Sequence, residues 1–154
     1  MTMPTFIPEL EFRASFGFDD IGRGPFGARQ VATIAEGKFI GERLSGTTVG
    51  AGADWLLLGE DGFGRLDVRA TFKTDDGANI YVQYFGLLQM SDAIGRILAG
   101  ADESTEFGDQ VFFVNPRMET GDERYAWVNH TVFLGQGRVL SGPRVEYVIY
   151  RVDN

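Results

Sequence analysis

Alternation of apolar and polar residues is the feature of this sequence that most restricts its fold. In "LDVRATFK" (66–73) every second residue is apolar and the residues between are charged or polar, and "LEFRASFGF" (10–18) repeats the pattern. Successive side chains of a β-strand point to opposite faces, so a period of two predicts strands with one buried face. Most of the chain is therefore predicted to be β-structure.

Further strands, turns and one helix follow from local composition. Asp61-Gly62 and Asp76-Gly77 are typical of tight hairpin turns. "SDAIGRILAG" (91–100) is the one predicted helix, capped by Ser91 and ended by Gly100. Residues 29–46 are predicted as two strand segments bent at a glycine. Four stretches rich in β-branched and aromatic residues are also predicted strands: "NIYVQYFGLL" (79–88), "DQVFFVNPRM" (109–118), "RYAWVNHTVFLG" (124–135) and "RVEYVIYRV" (144–152).

These elements predict a single all-β domain over residues 1–154. About eight to ten short antiparallel strands can form either a sandwich or a closed barrel. Closure removes exposed sheet edges, and a barrel of about eight strands can hold one small ligand inside. The favoured fold is a closed antiparallel β-barrel with one short helix near residues 91–100.

Composition argues against several classes of function. A formal net charge of −8, with only 14 Lys and Arg, argues against binding to nucleic acid or to an anionic membrane surface. The absence of cysteine removes disulfides, thiolate metal sites and cysteine nucleophiles. No apolar stretch approaches the ~20 residues of a membrane helix, and "MTMPTFIPELEF" does not resemble a signal peptide. We expect a soluble, cytoplasmic protein.

Formal motif matches add little. "GRGPFG" (22–27) matches the dinucleotide fingerprint, but it contains a proline and precedes a predicted strand rather than a helix. His130 is the only histidine and no G-x-S-x-G occurs, so neither a multi-histidine metal site nor a serine hydrolase is expected. Asp75, Asp76 and Asp122 could bind Ca²⁺ or Mg²⁺, but they lie in predicted turns, where Asp is common for backbone reasons. No metal site is predicted.

The stretch "RYAWVNHTVF" (124–133) raises a functional question. As a strand it places Tyr125, Trp127 and Asn129 on one face and mainly apolar side chains on the other. Rings with polar groups suit the wall of a small-molecule pocket. The same face could equally cover another subunit or a loop, and the alternation does not decide between these interpretations.

Polar residues elsewhere in the predicted strands are candidates for chemistry. Asp54 lies beside Trp55, and a carboxyl group kept from water by a large ring has a raised pKa that suits acid–base catalysis. The alternative for each charged pair is a surface ion pair of little energetic value. The other candidates alternate with apolar residues in the predicted strands: Asp67, Arg69, Tyr81, Gln83, Arg117 and Glu119.

Several segments together resemble domain-of-unknown-function family 3237. They are "GKFIGERLSG", "GADWLLL", "LDVRATFKTDDGANIYVQYFG" and "RMETGDERYAWVNHTVFLGQG", and their order and spacing match from about Leu10 to Val152. The combination of G-A-D-W, T-D-D-G-x-x-I-Y and E-T-G-x-x-R-Y-A-W-x-N is specific, although each piece alone is weak. The chain is identified on these residues as a member of that family.

The resemblance implies a lipocalin-like (calycin-type) barrel with a central cavity that assembles as a homo-oligomer. Some fungal relatives are implicated in natural-product biosynthesis, where they close a ring by adding a hydroxyl across an alkene, without a redox cofactor. In such a barrel the face with Tyr125 and Trp127 would line the cavity. Eleven residues of this sequence match the family motifs: Asp54, Trp55, Asp67, Arg69, Asp76, Tyr81, Arg117, Glu119, Tyr125, Trp127 and Asn129.

The leading hypothesis is an enzyme that isomerises, cyclises or adds a hydroxyl to a small hydrophobic, aromatic or polyketide-like molecule, with no cofactor. Asp54 or Glu119 would transfer the proton, with Tyr125 as a hydrogen-bond donor or acid. Arg69 or Arg117 would stabilise a developing oxyanion. The expected ligand-binding residues are Trp55, Asp67, Tyr81, Gln83, Trp127 and Asn129. The alternatives are a non-catalytic carrier barrel and a purely structural interaction module.

Overall fold

The computed structural model of the protein describes all 154 residues. It contains nine strands, one α-helix and one 3₁₀ helix. In chain order the elements are β1 (Thr5–Gly24), β2 (Gly27–Gly41), β3 (Gly46–Leu58), β4 (Phe63–Thr74), β5 (Asn79–Gln89), α1 (Asp92–Leu98), β6 (Phe112–Val114), β7 (Arg117–Glu119), the 3₁₀ helix (Glu123–His130), β8 (Phe133–Leu140) and β9 (Arg144–Asp153).

Eight of the strands form a closed antiparallel ring, which confirms the predicted barrel. The order around the ring is β1-β2-β3-β4-β5-β6-β8-β9, and β9 pairs with β1 to close it. The short β7 pairs with residues 81–83 of β5, next to the stretch of β5 that pairs with β6. The predicted strand over 109–118 is thus two short strands separated by Asn115 and Pro116, because proline has no N–H to donate to the ladder.

The apolar side of the alternation fills the barrel. Along β4 the even-numbered residues are buried and the odd-numbered residues face outward. The centre of the core is aromatic, with the rings of Phe39 and Phe72 stacked 4.3 Å apart between centroids. Phe12 packs against Phe72 at 4.9 Å. Each fully buried ring of this kind stabilises the fold by about 1.5–3 kcal/mol.

Helices close the two ends of the barrel. The α1 helix follows β5, begins where the Ser91 side chain accepts from the Ile94 N–H, and buries Ile94 and Ile97 in the core. The 3₁₀ helix buries Val128 at the opposite end. Neither helix has the length and apolar character to cross a membrane.

The prediction of a strand over 124–135 is wrong for residues 124–130, because Glu123–His130 form the 3₁₀ helix. It is confirmed only for residues 133–135, where β8 begins. Asp122 precedes the helix and its side chain accepts from the Arg124 N–H at 3.0 Å, as an N-cap does. Alternation in "RYAWVN" is too short to separate a strand from a helical turn. The cap Asp122 was the sequence signal that favoured the helix.

Candidate functional site

A small apolar cavity lies inside the barrel at the end covered by α1. Its volume is about 40 Å³, enough for only a few water molecules. Asp54 and Arg144 are the two charged residues of its wall. The lining residues are Phe16, Phe18, Ala32, Asp54, Leu56, Leu66, Tyr84, Leu88, Leu98, Phe112, Val139, Pro143, Arg144, Val145 and Tyr147.

Asp54 is a buried carboxyl group in this wall, with 6% of its surface exposed. Burial raises its pKa from 3.8 to about 7, and the nearby Asp67 carboxylate adds to the rise. The Asp67 N–H and the Arg29 guanidinium oppose it. Near neutral pH the Asp54 carboxyl group is therefore present in both its charged and its neutral form.

An interruption of the sheet places the Asp54 carboxyl group. Regular pairing of β3 with β4 stops after Asp54–Val68 and resumes at Leu57–Arg65. Within the gap the Asp67 N–H donates to Asp54 Oδ1 at 3.0 Å. The Trp55 carbonyl accepts from Arg29 Nη1 at 2.8 Å. The Asp54 side chain thus takes the place of a backbone acceptor in the sheet. Its hydrogen bond with the Asp67 N–H fixes it at the cavity wall.

Two tyrosines share the cavity with Asp54. Tyr84 and Tyr147 are almost fully buried, and their rings meet edge to face with centroids 5.7 Å apart. The Tyr84 hydroxyl is buried and makes no hydrogen bond of regular geometry, although the Tyr147 hydroxyl lies near enough to lower its pKa. Burial, followed by the charge of Asp54, raises the pKa of Tyr84, and burial also raises the pKa of Tyr147. Both phenols therefore stay protonated at neutral pH and can donate a hydrogen bond.

Sequence reasoning missed both tyrosines. Tyr84 follows Ile80 and Val82 on the apolar face of β5, and Tyr147 lies between Val145 and Ile149 in β9. The signal was a hydroxyl-bearing ring at a position where the alternation demands hydrocarbon. Such rings contribute to the core as well as to chemistry, so the sequence alone does not separate the two roles.

A gap in the barrel wall leads to the cavity. The pairing of β1 with β9 ends at Ser15–Arg144, whereas β1 and β2 remain paired to Gly24–Gly27. The C-terminal half of β1, residues 16–24, therefore pairs with β2 on one side and has no partner strand on the other. Phe16 and Phe18 from this half, with Pro143 and Arg144 from the other side, line the cavity.

Six of the predicted site residues lie on the outer surface of β4, β5 and β7. The register aligns Arg69, Gln83 and Arg117 in one row. Tyr81 and Glu119 are partners in the next row. Asp67 is on the outward side of β4 but is half-buried, and its Oδ1 is inaccessible and has no hydrogen-bond partner. Trp55 faces outward on β3. They face outward because the even-numbered apolar residues of these strands fill the barrel.

Three further predicted residues belong to the 3₁₀ helix at the far end. The Tyr125 hydroxyl donates to Asp76 Oδ1 at 2.8 Å. Trp127 lies under the Arg43 guanidinium, 3.8 Å from its ring centroid. Asn129 bonds both backbone groups of Thr120, at 2.8 and 3.0 Å. Of the eleven predicted site residues, Asp54 is the one that lines the cavity.

Comparison with known proteins shows the same fold in bacteria. UPF0311 protein RPA1785 of Rhodopseudomonas palustris (strain ATCC BAA-98 / CGA009) is 30% identical over 136 residues, which cover 86% of this chain and 88% of the relative. The crystal structure of RPA1785, a conserved protein of unknown function, matches with a TM-score of 0.88 and 24% identity in the structural alignment, over 99% of this chain and 100% of that chain.

Two other solved structures share the barrel. A beta-barrel like protein (ABAYE2633) from Acinetobacter baumannii AYE has a TM-score of 0.80 at 25% identity and covers 99% of this chain and 98% of its own. A structure described as an enzyme from Penicillium herquei has a TM-score of 0.62 at 19% identity, over 98% and 94% of the two chains. The family model described as "Protein of unknown function (DUF3237)" matches residues 4–152. The chain therefore belongs to the DUF3237 family, as its sequence segments indicated.

Proposed function

We propose that this protein is an enzyme that moves a proton within a small apolar or aromatic substrate bound inside the barrel. The proposal rests on one observation: a single apolar cavity is lined by the buried residue Asp54 and by Tyr84, whose buried hydroxyl makes no hydrogen bond of regular geometry. A buried carboxyl group and an unpaired hydroxyl both cost stability. Groups that are retained at such a cost beside a cavity are typical of catalytic sites.

Asp54 supplies the proton-transfer group. With a pKa of about 7 it can take a proton from one atom and return it to another at neutral pH. In an isomerisation it removes a proton from the carbon beside a carbonyl and returns that proton to a different carbon. In a hydroxyl addition it takes the hydroxyl proton as the oxygen bonds to one alkene carbon, and the proton passes to the other carbon. Neither reaction gains or loses an atom.

Tyr84 and Tyr147 supply hydrogen-bond donors. A phenol that stays protonated can donate to a substrate oxygen on which negative charge builds, and this donation is stronger in a dry cavity. Sequence analysis assigned that role to Arg69 or Arg117. The tyrosines are favoured because they share the cavity with Asp54, whereas both arginines lie on the outer surface.

Substrate entry requires side chains to move. Typical ligand pockets have volumes of roughly 300–1,000 Å³, well above the 40 Å³ of the closed cavity. Phe16 and Phe18 are the residues best placed to yield, because their half of β1 lacks a partner on the β9 side. A cavity that opens for the substrate and closes over it excludes water from the reaction.

A non-catalytic carrier is the second candidate, because the largely apolar lining suits a carrier as well as it suits an enzyme. The two functions differ in what they require of Asp54. A carrier needs shape and hydrocarbon, whereas an acid–base enzyme needs a carboxyl group that titrates. Chemical conversion of the ligand is therefore the property that separates them.

The test begins with a thermal-shift screen against hydroxylated aromatic and polyketide-like compounds. Each stabilising compound is then incubated with the protein and examined by chromatography and mass spectrometry, with retention time resolving products of unchanged mass. Conversion is compared in Asp54→Asn and Tyr84→Phe. Glu119→Gln and Tyr125→Phe are matched controls, since they make the same chemical changes outside the cavity.

We expect Asp54→Asn to abolish conversion and Tyr84→Phe to reduce it by a factor of about 10²–10³, the usual cost of losing one oxyanion donor. Both controls should retain activity. Ligands recovered unchanged from the wild-type protein would favour the carrier. Conversion that survives Asp54→Asn but is lost in Glu119→Gln would move the active site to the outer surface.

A homo-oligomer, expected from the family resemblance, has a suitable surface on the barrel exterior. The outer apolar face consists of Phe6, Phe85, Leu87, Val111, Phe113 and Leu134, all exposed. Phe113 and Leu134 form a ridge between two grooves of about 480 and 290 Å³. The one charged residue along these grooves, Arg65, is paired with Asp61.

We propose that a second copy of the chain covers this face. A ridge flanked by grooves can fit into the same surface of an identical partner across a two-fold axis. Two copies with a net charge of −8 each repel one another, and a contact face without acidic groups keeps their negative charges apart. The two grooves are lined by no acidic residue.

A further inference from the structure

Arg144 lies at the mouth of the cavity and belongs to two recesses. It lines the internal cavity, and it also lines an outer groove of about 420 Å³ over β1, β2 and β3. Its strand partner is Ser15, and this is the last β1–β9 pair before the gap. A molecule that enters between β1 and the β8–β9 turn therefore passes this guanidinium.

The Arg144 guanidinium is held in place but not neutralised. Eight arginines of the chain form ion pairs with carboxylates, and Arg144 is not among them. Its Nε donates to the Ser141 carbonyl at 2.9 Å. This bond leaves the two terminal nitrogens without a protein partner, in the planar arrangement that matches a carboxylate or phosphate.

The outer groove beside Arg144 is basic in an otherwise acidic protein. Arg13 and Lys38 are strand partners there, and the groove contains a single acidic residue, Glu36. Lys38 has no ion-pair partner, whereas Arg13 also contacts Glu146 at 2.8 Å. Three hydroxyl groups complete the polar lining: Ser15, Thr47 and Thr48.

We propose that the substrate is an amphipathic anion whose carboxylate or phosphate stays at Arg144 while its apolar part enters the cavity. This inference rests on the proposed function and names the class of substrate for the same site. The apolar lining makes burial of a negative charge costly, and the charged form of Asp54 adds repulsion, so the interior disfavours an anionic group. The free guanidinium at the mouth attracts it, which orients the reacting end toward Asp54 and Tyr84.

Two fluorescent probes of the same aromatic skeleton test the inference. 8-Anilinonaphthalene-1-sulfonate carries an anionic group, and N-phenyl-1-naphthylamine is its uncharged counterpart. Both are titrated into wild-type protein, Arg144→Gln, and Arg23→Gln as the matched control, because Arg23 is exposed and lines neither recess. Ala32→Leu narrows the cavity, so probe signal that persists in that variant is subtracted as outer-surface binding.

We expect Arg144→Gln to weaken sulfonate binding about tenfold, the value of one charge-assisted hydrogen bond. Binding of the neutral probe should change less than twofold, and Arg23→Gln should change neither. Added salt should weaken sulfonate binding in the wild type and have little effect in Arg144→Gln.

Two outcomes contradict the inference in different ways. Equal affinity of wild type and Arg144→Gln for the sulfonate, with the neutral probe still bound in the cavity, overturns the anionic substrate and leaves the acid–base function standing. If neither probe gives a signal that is lost in Ala32→Leu, neither probe binds in the cavity. That result contradicts the ligand cavity itself, and the proposed function fails with it.

Discussion

Asp54 is the residue at which structural and chemical roles coincide. Its carboxyl group replaces a rung between β3 and β4 and also faces the cavity. The sequence singled out Asp54 as a carboxyl group whose pKa would rise if a large ring kept it from water, because an acid beside a large ring is a local signal. It did not predict that burial inside the barrel, rather than Trp55, is the cause, since Trp55 points outward.

Asp54 should make stability fall as the pH rises. In the unfolded chain this carboxyl group loses its proton near its ordinary pKa of 3.8, whereas in the folded protein it keeps the proton up to about pH 7. Unfolding between these values releases a proton, so the free energy of unfolding decreases by up to about 1.4 kcal/mol per pH unit and levels off above pH 7.

Asp54→Asn removes this dependence and keeps an oxygen that can accept from the Asp67 N–H. Relative to the wild type, the variant should therefore gain about 2–4 kcal/mol of unfolding free energy between pH 4.5 and pH 8. Urea titrations at a series of pH values measure the difference, with Glu119→Gln as the matched change on the surface. A difference that is constant over this range would contradict the buried state of Asp54.

The two tyrosine variants should change stability in opposite directions. Tyr84→Phe removes a buried hydroxyl that makes no hydrogen bond of regular geometry and should raise the free energy of unfolding by about 1 kcal/mol. Tyr125→Phe removes the hydroxyl that donates to Asp76 and should lower it by up to about 1 kcal/mol. Urea unfolding at pH 7 measures both, and a loss of stability in Tyr84→Phe would indicate that its hydroxyl is satisfied in solution.

At the scale of elements, the 3₁₀ helix explains why part of the predicted site lies elsewhere. The segment's rings were expected on a strand facing the cavity, but the helix packs them over the opposite end of the barrel. Long alternating strands such as β4 were predictable because many residues agree on one period. Eight residues that follow a capping Asp122 do not carry enough periodicity to decide their structure.

Asn129 should therefore stabilise the fold rather than contact a ligand. Its side chain bonds the N–H and carbonyl of Thr120 and ties the helix to the loop before it. Asn129→Ala should lower the free energy of unfolding by about 2 kcal/mol, since it leaves two partly buried backbone groups unpaired. The affinity of the folded protein for cavity ligands should not change.

Calorimetry and probe titration check the two halves of this prediction. Asn154→Ala, at the exposed C-terminus, is the matched control for the substitution. A variant that is as stable as the wild type but binds ligand more weakly would restore Asn129 to the binding site predicted from the sequence.

At the scale of the whole molecule, closure of the barrel decides which face of each strand meets a ligand. Alternation predicted most of the strands, and their number allowed either a sandwich or a closed barrel. The barrel was favoured because closure removes exposed sheet edges. Alternation could not assign Arg69, Gln83 and Glu119 to a side, since either face of an isolated strand can point inward. The closed ring of strands buries the apolar face and leaves these groups outside.

The outer apolar face should hold two copies together. Phe113→Glu places a charge on the central ridge and should convert a dimer into a monomer, measured by light scattering coupled to size-exclusion chromatography. Phe26→Glu is the matched control, because Phe26 is more exposed, lies on the β1–β2 turn and lines neither groove. A wild-type protein that is monomeric at high concentration, or a dimer that survives Phe113→Glu, would contradict the proposed interface.

The bond between the Asp67 N–H and Asp54 makes one backbone amide a reporter for the candidate catalytic group. The chain has 22 Asp and Glu residues, so carboxyl signals overlap in a magnetic resonance spectrum. The Asp67 amide gives a single resonance, and its proton is hydrogen-bonded to the titrating oxygen of Asp54. Its chemical shift should therefore follow the charge of Asp54 as pH changes or ligand enters, which allows the protonation step to be observed before any substrate is known.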